Sequence, residues 1–308
     1  MRPARRQALK VIGGLAVGAL FPSIANADTA FVLDDDGCIV VPVMINGRGP
    51  FQFVLDTGSN RTVITPEVAS DLGLTVSRTG QQVLGVGGAA DAGLVRLDRV
   101  EIGPCVLPGL TAMVMPSDPR AGMFGAAQGA IGMDGFAGRR LLIDLEDGAY
   151  EISDGGEATP SGFEIVPGRL RYSHLLEIPI DVGGFAARAV IDTGAQKTIA
   201  NDLLLTQGVS VRDPRRFVIA GARGVTAPTN AARLDQVKLG PLVINQLLAH
   251  PGELPVLHGP DGKPLPALFL GMDALGLTRG FAIDFARAEL QVRLDPRQVA
   301  WARWAERG

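Results

Sequence analysis

The sequence predicts a mainly β chain of two homologous lobes, each of closed or orthogonal sheets with short helices, and three observations carry that expectation. The 308 residues include 40 Gly and 21 Pro spread along the chain rather than clustered, the punctuation of many short strands joined by turns. Hydrophobic residues make up 46%, enough for a sizeable core and too many for wholesale disorder. The third observation is that the chain is written twice.

Phe53-Val54-Leu55-Asp56-Thr57-Gly58-Ser59 returns as Ala189-Val190-Ile191-Asp192-Thr193-Gly194-Ala195, an offset of 136 (192 − 56). Arg96-Leu97-Asp98 returns as Arg233-Leu234-Asp235 at 137 (233 − 96), and Ile131-Gly132-Met133-Asp134 as Leu270-Gly271-Met272-Asp273 at 139 (271 − 132). Ile143-Asp144-Leu145 matches Ile283-Asp284-Phe285 at 140 (284 − 144). The order is kept and the offset only drifts, so a unit of domain size has been duplicated. The drift places a few extra residues in the second copy, in the Pro- and Gly-rich stretch 258–266. Duplicated lobes pack about an approximate two-fold axis, so a motif near that axis faces its counterpart.

The elements follow in order. Residues 1–27 read as an export signal: Arg5, Arg6 and Lys10 precede an apolar run over 11–21, and Ala25-Asn26-Ala27 offers a small-residue cleavage site. That run is short for a bilayer span, so no stable membrane anchor is expected after cleavage. The paired arginines resemble a twin-arginine signal, although Ala4 and Ala8 depart from it. A periplasmic or secreted bacterial protein is the expectation. Losing four cations and no acids moves the net charge from −3 to −7.

Residues 28–155 form the first lobe, 156–169 the linker, and 170–308 the second lobe with a helical tail from Pro296. Asn46-Gly47 between alternating apolar runs is a strong hairpin signal, and Gly183-Gly184 holds the matching place. Thr65, Pro66 and Gly73 bracket one short helix, and Asn201 and Gly208 another. Cys38 and Cys105 either pair in an oxidising compartment or remain two buried thiols.

Two Asp-Thr-Gly motifs, each after an apolar strand and each followed by an apolar-apolar-Gly triplet (Ala130-Ile131-Gly132, Phe269-Leu270-Gly271), resemble those of aspartic peptidases. The resemblance covers nearly all the chain after residue 27. The short lobes are similar to the retropepsin-like branch of retroviruses and bacteria, with two units fused in one chain. It implies acid-protease-type closed β-barrel lobes about a pseudo-two-fold axis, and an exported endopeptidase acting on an extended polypeptide. Asp56 and Asp192 would be the catalytic pair. Facing carboxylates repel and share one proton, so one serves as base toward a water while the other is acid; aspartic proteases are the usual illustration of this split. No metal and no cofactor is needed, and one chain suffices as a monomer.

Gly58 and Gly194 permit a sharp turn and close approach of neighbouring backbone. By resemblance, Thr57 and Thr193 exchange hydrogen bonds with the opposite lobe. Ser59 is expected to hydrogen-bond Asp56 and favour its ionised form, and Ala195 gives Asp192 no such help. Gly85, Val86, Gly87 and Gly88, with Ala220 and Gly221 in the second copy, are the expected flap. Ile131, Gly132, Leu270 and Gly271 are structural, and Asp134 and Asp273 read as acids at helix starts. Asp98, Asp235, Asp144 and Asp284 recur without Thr-Gly and read as structural turn carboxylates. Ile64, Val86, Ile131, Ile199 and Leu270 are candidate apolar linings of the cleft.

Other classes are disfavoured. An acidic chain with 5% aromatics and no basic run suits no nucleic-acid partner. His174, His250 and His258 lack zinc-ligand spacing, and no Gly-x-Ser-x-Gly or cysteine nucleophile signature occurs. Gly85-Val86-Gly87-Gly88 lacks the third-glycine spacing and the following helix of a dinucleotide loop. The rivals are a peptide-binding module using the same interlobe cleft without turnover, and a scaffold that does neither.

Overall fold

The computed structural model describes residues 29–295 apart from 36, 86–87, 116–125, 173, 208, 218–219, 222–223, 226–228, 253–254 and 260. The expected signal, the tail from 296 and the helix-ending Gly208 lie outside the described residues.

Each copy of the repeat closes into a six-stranded barrel. In the first lobe Ile39–Ile45 pairs with Arg48–Leu55, which runs beside Gly129–Ile131. That short strand meets Val63–Ile64, and the circuit continues through Cys105–Val114 and Gly88–Ile102 back to Ile39–Ile45. In the second lobe Leu175–Val182, Phe185–Ile191, Ala267–Leu270, Ile199–Ala200, Leu242–Pro251 and Thr229–Leu239 repeat the circuit in the same order. Closure leaves these strands without open edges, which is how a short lobe saturates its backbone hydrogen bonds.

Local chemistry explains the corners. Asn46 (φ 51°) and Gly47 (φ 75°) are both left-handed, as a two-residue hairpin turn requires, and Ile45 faces Arg48 across it. Gly183 and Gly184 turn the second lobe's hairpin between Val182 and Phe185. The helix Pro66–Asp71 is capped by Thr65, whose hydroxyl accepts from the Val68 N–H at 3.3 Å. Asn201 caps Asp202–Gln207 through Leu204 N–H at 3.0 Å.

Side chains alternate along the strands that lead to Asp56 and Asp192. Phe53 and Leu55 enter the main core, whereas Val54 joins a second cluster on the opposite face with Cys38, Val63, Met113 and Ala130. In the second lobe Ala189 and Ile191 are core, and Val190 joins Leu175, Ile199, Leu257 and Phe269. The drift in the repeat is also placed. Met113 and His250 hold equivalent positions at an offset of 137 (250 − 113), and Ala130 and Phe269 at 139 (269 − 130). The two extra residues therefore fall between His250 and Phe269.

The lobes share a five-stranded sheet in the order Ala149–Asp154, Arg139–Asp144, Gly280–Asp284, Glu289–Arg293, Phe163–Pro167. Its central pairing joins Arg139–Asp144 of the first lobe to Gly280–Asp284 of the second. Phe163–Pro167 lies inside the stretch read as a linker and is an edge strand of this sheet. Asp144 accepts from the N–H groups of Glu146 and Asp147, and Asp284 from those of Ala286 and Arg287. Both acids are the turn carboxylates the repeat suggested.

Candidate active site

The strand Arg48–Leu55 delivers Asp56 to the lobe interface, and the parallel strand beside it holds it there: the Asp56 N–H donates to Ile131 O at 3.0 Å. Asp192 is held in the same way, its N–H donating to Leu270 O at 3.0 Å. Each chain then turns back on its own carboxylate. Gly58 N–H reaches Asp56 Oδ1 at 3.0 Å, and Gly194 and Ala195 N–H reach Asp192 Oδ1 at 3.0 and 3.1 Å.

Two threonines stitch these loops together. Thr57 Oγ1 donates to Ile191 O at 2.8 Å and accepts from Thr193 N–H at 3.0 Å. Reciprocally, Thr193 Oγ1 donates to Leu55 O and accepts from Thr57 N–H at 3.1 Å. Both side chains are buried, so these bonds are shielded from water and costly to lose.

The glycines explain how the carboxyls meet. A Cβ built on Gly58 would lie 2.3 Å from Asp192 Cγ, and one on Gly194 2.4 Å from Asp56 Cγ. Each carboxyl thus lies against the opposite lobe's glycine, where no side chain fits. Burial pushes Asp56 up from 3.8 to about 6, against the lowering effect of the Gly58 N–H. Burial pushes Asp192 well above the ordinary range, and the neighbouring Asp56 charge pushes it further. Two acids that resist ionising together hold one proton between them.

Ser59 does not play the part expected of it. A hydroxyl has one proton, and Ser59 Oγ donates it to Arg61 O at 2.8 Å. The Ser59 backbone N–H, not its side chain, favours ionised Asp56, and Ala195 supplies the same group to Asp192. The Ser/Ala difference therefore does not rank the two acids.

The triplet glycines sit where the loops fold back. A Cβ on Gly132 would lie 2.4 Å from the Arg61 carbonyl carbon, and one on Gly271 2.7 Å from that of Lys197. Met133 N–H donates to Ser59 O at 2.9 Å and Met272 N–H to Ala195 O at 2.8 Å. Asp134 and Asp273 do begin short helices, but their carboxyls have a task the sequence reading missed. Asp134 Oδ1 accepts from Thr62 N–H (3.1 Å) and Oγ1 (2.8 Å), and Asp273 Oδ1 from Thr198 N–H (3.0 Å) and Oγ1 (2.8 Å). The threonine oxygens then accept from Gly132 and Gly271 N–H at 3.3 and 3.2 Å. Thr62 and Thr198 each follow an Asp-Thr-Gly acid by six residues, a recurrence that could have exposed them.

Of the expected flap, Ser77–Gly85 and Gly88–Ile102 form a hairpin in which Gly85 faces Gly88, and Val86 and Gly87 lie outside the described residues. In the second lobe Ala220–Gly221 pairs with Gly224–Val225. The first-lobe strand Ser77–Gly85 approaches Pro255–Leu257 of the second lobe. The expected linings need correction: Ile64, Ile131 and Leu270 point into the barrel cores, because alternation sends them away from the acids. Val54, Ala130, Val190 and Phe269, with Ile199, occupy the acids' face. Cys38 and Cys105 are buried thiols that are not joined in a disulfide. Cys38 Sγ lies 3.6 Å from Gly194 O across the interface, and Cys105 accepts from Arg139 Nη1 at 3.3 Å.

Comparison with known families bears directly on this pair of loops. A model described as aspartyl protease matches twice, over residues 41–134 and 178–274. The chain belongs to the aspartyl protease family. Each match starts in the first strand of one barrel and runs just past its triplet, so this aspartyl protease carries a complete retropepsin-like unit in each lobe. No curated protein matches the chain.

Proposed function

We propose that this aspartyl protease is an exported endopeptidase, periplasmic or secreted, in which Asp56 and Asp192 activate one water against a peptide bond. The observation that carries the reading is the reciprocal seating of each carboxyl on the opposite lobe's glycine, with both acids pushed up by burial. A pair holding one proton keeps a base and an acid side by side. The ionised member takes a proton from the water as its oxygen attacks the scissile carbonyl, and the protonated member gives its proton to the carbonyl oxygen. The tetrahedral species collapses as the first carboxyl passes the water's proton to the leaving amine and the second takes a proton back from the diol, so the pair again holds one proton and no covalent enzyme intermediate forms. Thr57 and Thr193 hold the two loops in one register, so this geometry exists before substrate arrives. The Gly-rich hairpin ending at Gly85 and Gly88 suits closure over an extended peptide, contacting its backbone more than its side chains.

The test is cleavage of a mixed peptide library by the purified protein across pH 3–8, beside Asp56→Asn and Asp192→Asn. Either substitution should cost at least ~10²-fold in rate, the range for losing a positioned acid or base. Internal cuts would identify an endopeptidase. Binding of peptides without cutting by the wild type would point instead to a non-catalytic peptide module.

A further inference from the structure

The second lobe carries a charge cluster that the first lobe does without. Glu177 is 3% exposed and is held by three arginines. Arg169 Nη2 lies 2.6 Å and Arg188 Nη1 3.1 Å from Glu177 Oε1, and Arg171 Nη1 lies 2.9 Å from Oε2. Arg171 also donates to His258 O, and its guanidinium stacks 5.7 Å above the ring of exposed Tyr172. Among the described residues Glu177 is the acid in salt-bridge contact with these arginines, so the cluster carries two positive charges in excess. The excess faces water, with the Arg169 side chain 54% and the Arg188 side chain 34% exposed.

The cluster is placed relative to the acids by the sheet. On the strand Phe185–Ile191, Ala187, Ala189 and Ile191 fill the barrel, so Arg188 and Val190 share the opposite face with Asp192. Arg188 is four residues from Asp192, about 13 Å along an extended strand. Glu177 faces Val190, and Arg169 faces Glu177.

The duplication supplies an internal control. In the first lobe Val40 faces Val54 and Val32 faces Val40, so Val40 stands in the place of Glu177 and Val32 in that of Arg169. Pro42 faces Gln52 as Pro179 faces Arg188, so Gln52 stands in the place of Arg188. The same barrel closes there with two valines and an amide. Closing the barrel therefore does not require the cluster, and a buried ion network is in itself weak evidence for stabilisation.

We infer that Arg169, Arg171 and Arg188 form an anionic subsite of the second lobe, which binds a carboxylate of the polypeptide substrate about four residues from the bond that is cut. Arginine suits this task because its planar fork pairs with a carboxylate through two parallel bonds. The carboxylate is either an Asp or Glu side chain or the free C-terminus of the peptide. The inference rests on the endopeptidase reading above.

The experiment uses one cleavable peptide in which a Glu is walked from the second to the sixth residue on each side of the cut. Gln-matched controls accompany each peptide, and a further pair ends in a free acid or an amide. With the wild type, kcat/KM for the Glu peptide should exceed that of its Gln control about tenfold at one position, the scale of a charge-assisted contact. A preference for the free acid over the amide would name the C-terminus instead. In Arg169→Gln, the exposed and milder change, and in Arg188→Gln, the Glu/Gln ratio should fall toward one. Raising the salt should lower the wild-type ratio. A ratio near one at every position, or variants that lower both peptides equally, overturns the subsite and leaves a structural brace. Affinities of the same peptides for Asp56→Asn, read by fluorescence anisotropy, keep the two readings apart. Wild type that cuts nothing while Asp56→Asn prefers Glu peptides sinks the endopeptidase reading and keeps the subsite.

Discussion

Replacing Asp56 by Asn should make the folded protein more stable at neutral pH. Folding takes Asp56 from an ordinary 3.8 to about 6, because burial disfavours the charged form. Between about pH 4 and pH 6 the native state therefore holds a proton that the unfolded chain has released. Stability falls with rising pH wherever the native state binds more protons than the unfolded. The rise spans about two pH units, and each unit is worth about 1.4 kcal/mol. The wild type thus forgoes about 3 kcal/mol at pH 7, and almost none of it by pH 3, where both states are protonated. Asn cannot ionise, and its presence also removes the charge that pushes Asp192 upward, which acts in the same direction. Thermal unfolding of wild type and Asp56→Asn at pH 3 and pH 7 is the assay. The variant should melt roughly 5–10 °C higher at pH 7 for a chain of this size and close to wild type at pH 3. A variant that melts lower at pH 7, or whose gain is the same at both pH values, would refute the idea that burial of this acid opposes folding.

Gly194→Ala places a methyl 2.4 Å from Asp56 Cγ and should cost about 1–3 kcal/mol with loss of cleavage, read by urea unfolding and peptide turnover. Thr193→Val keeps the shape but strips Leu55 O and Thr57 N–H of a buried partner; about 1–3 kcal/mol for each group is expected from the denaturation midpoint. Asp273→Ala should cost more stability than Asp273→Asn, because Asn retains an oxygen for Thr198 N–H and Oγ1 and burial already raises the Asp273 pKa. Cys38 and Cys105, both buried, should resist a thiol reagent in the native protein and react after unfolding; reaction without unfolding would contradict the packing around them.

Much of this was legible in the sequence because it recurs. Two Asp-Thr-Gly motifs at one offset announced two lobes, and the Asn46-Gly47 turn announced its hairpin from local backbone preference alone. The shared sheet was not legible, since strands 139–144 and 280–284 pair across most of a lobe and leave no local signal. For the same reason 163–167 read as linker. Ser59 misled because proximity in sequence to Asp56 says nothing about where a hydroxyl rotates; it donates to Arg61 O. Thr62 and Thr198 were visible in principle and went unseen, because each looks ordinary until its Asp is placed beside it. The arginine cluster does not recur, as the first lobe has Val32, Val40 and Gln52 in the places of Arg169, Glu177 and Arg188.

The shared sheet also sets when the molecule can be finished. During synthesis the first lobe emerges with Arg139–Asp144 lacking its partner on one side, and Gly280–Asp284 appears about 140 residues later. Until then that strand offers open N–H and C=O groups to any passing chain. Pairings so distant in sequence form late, because loop closure costs entropy before the contact returns it. The carboxyl pair is completed only when both lobes dock across the same seam. Under the mechanism proposed above, a chain whose synthesis is unfinished lacks the second carboxyl's lobe-to-lobe seat until nearly the last strand is in place.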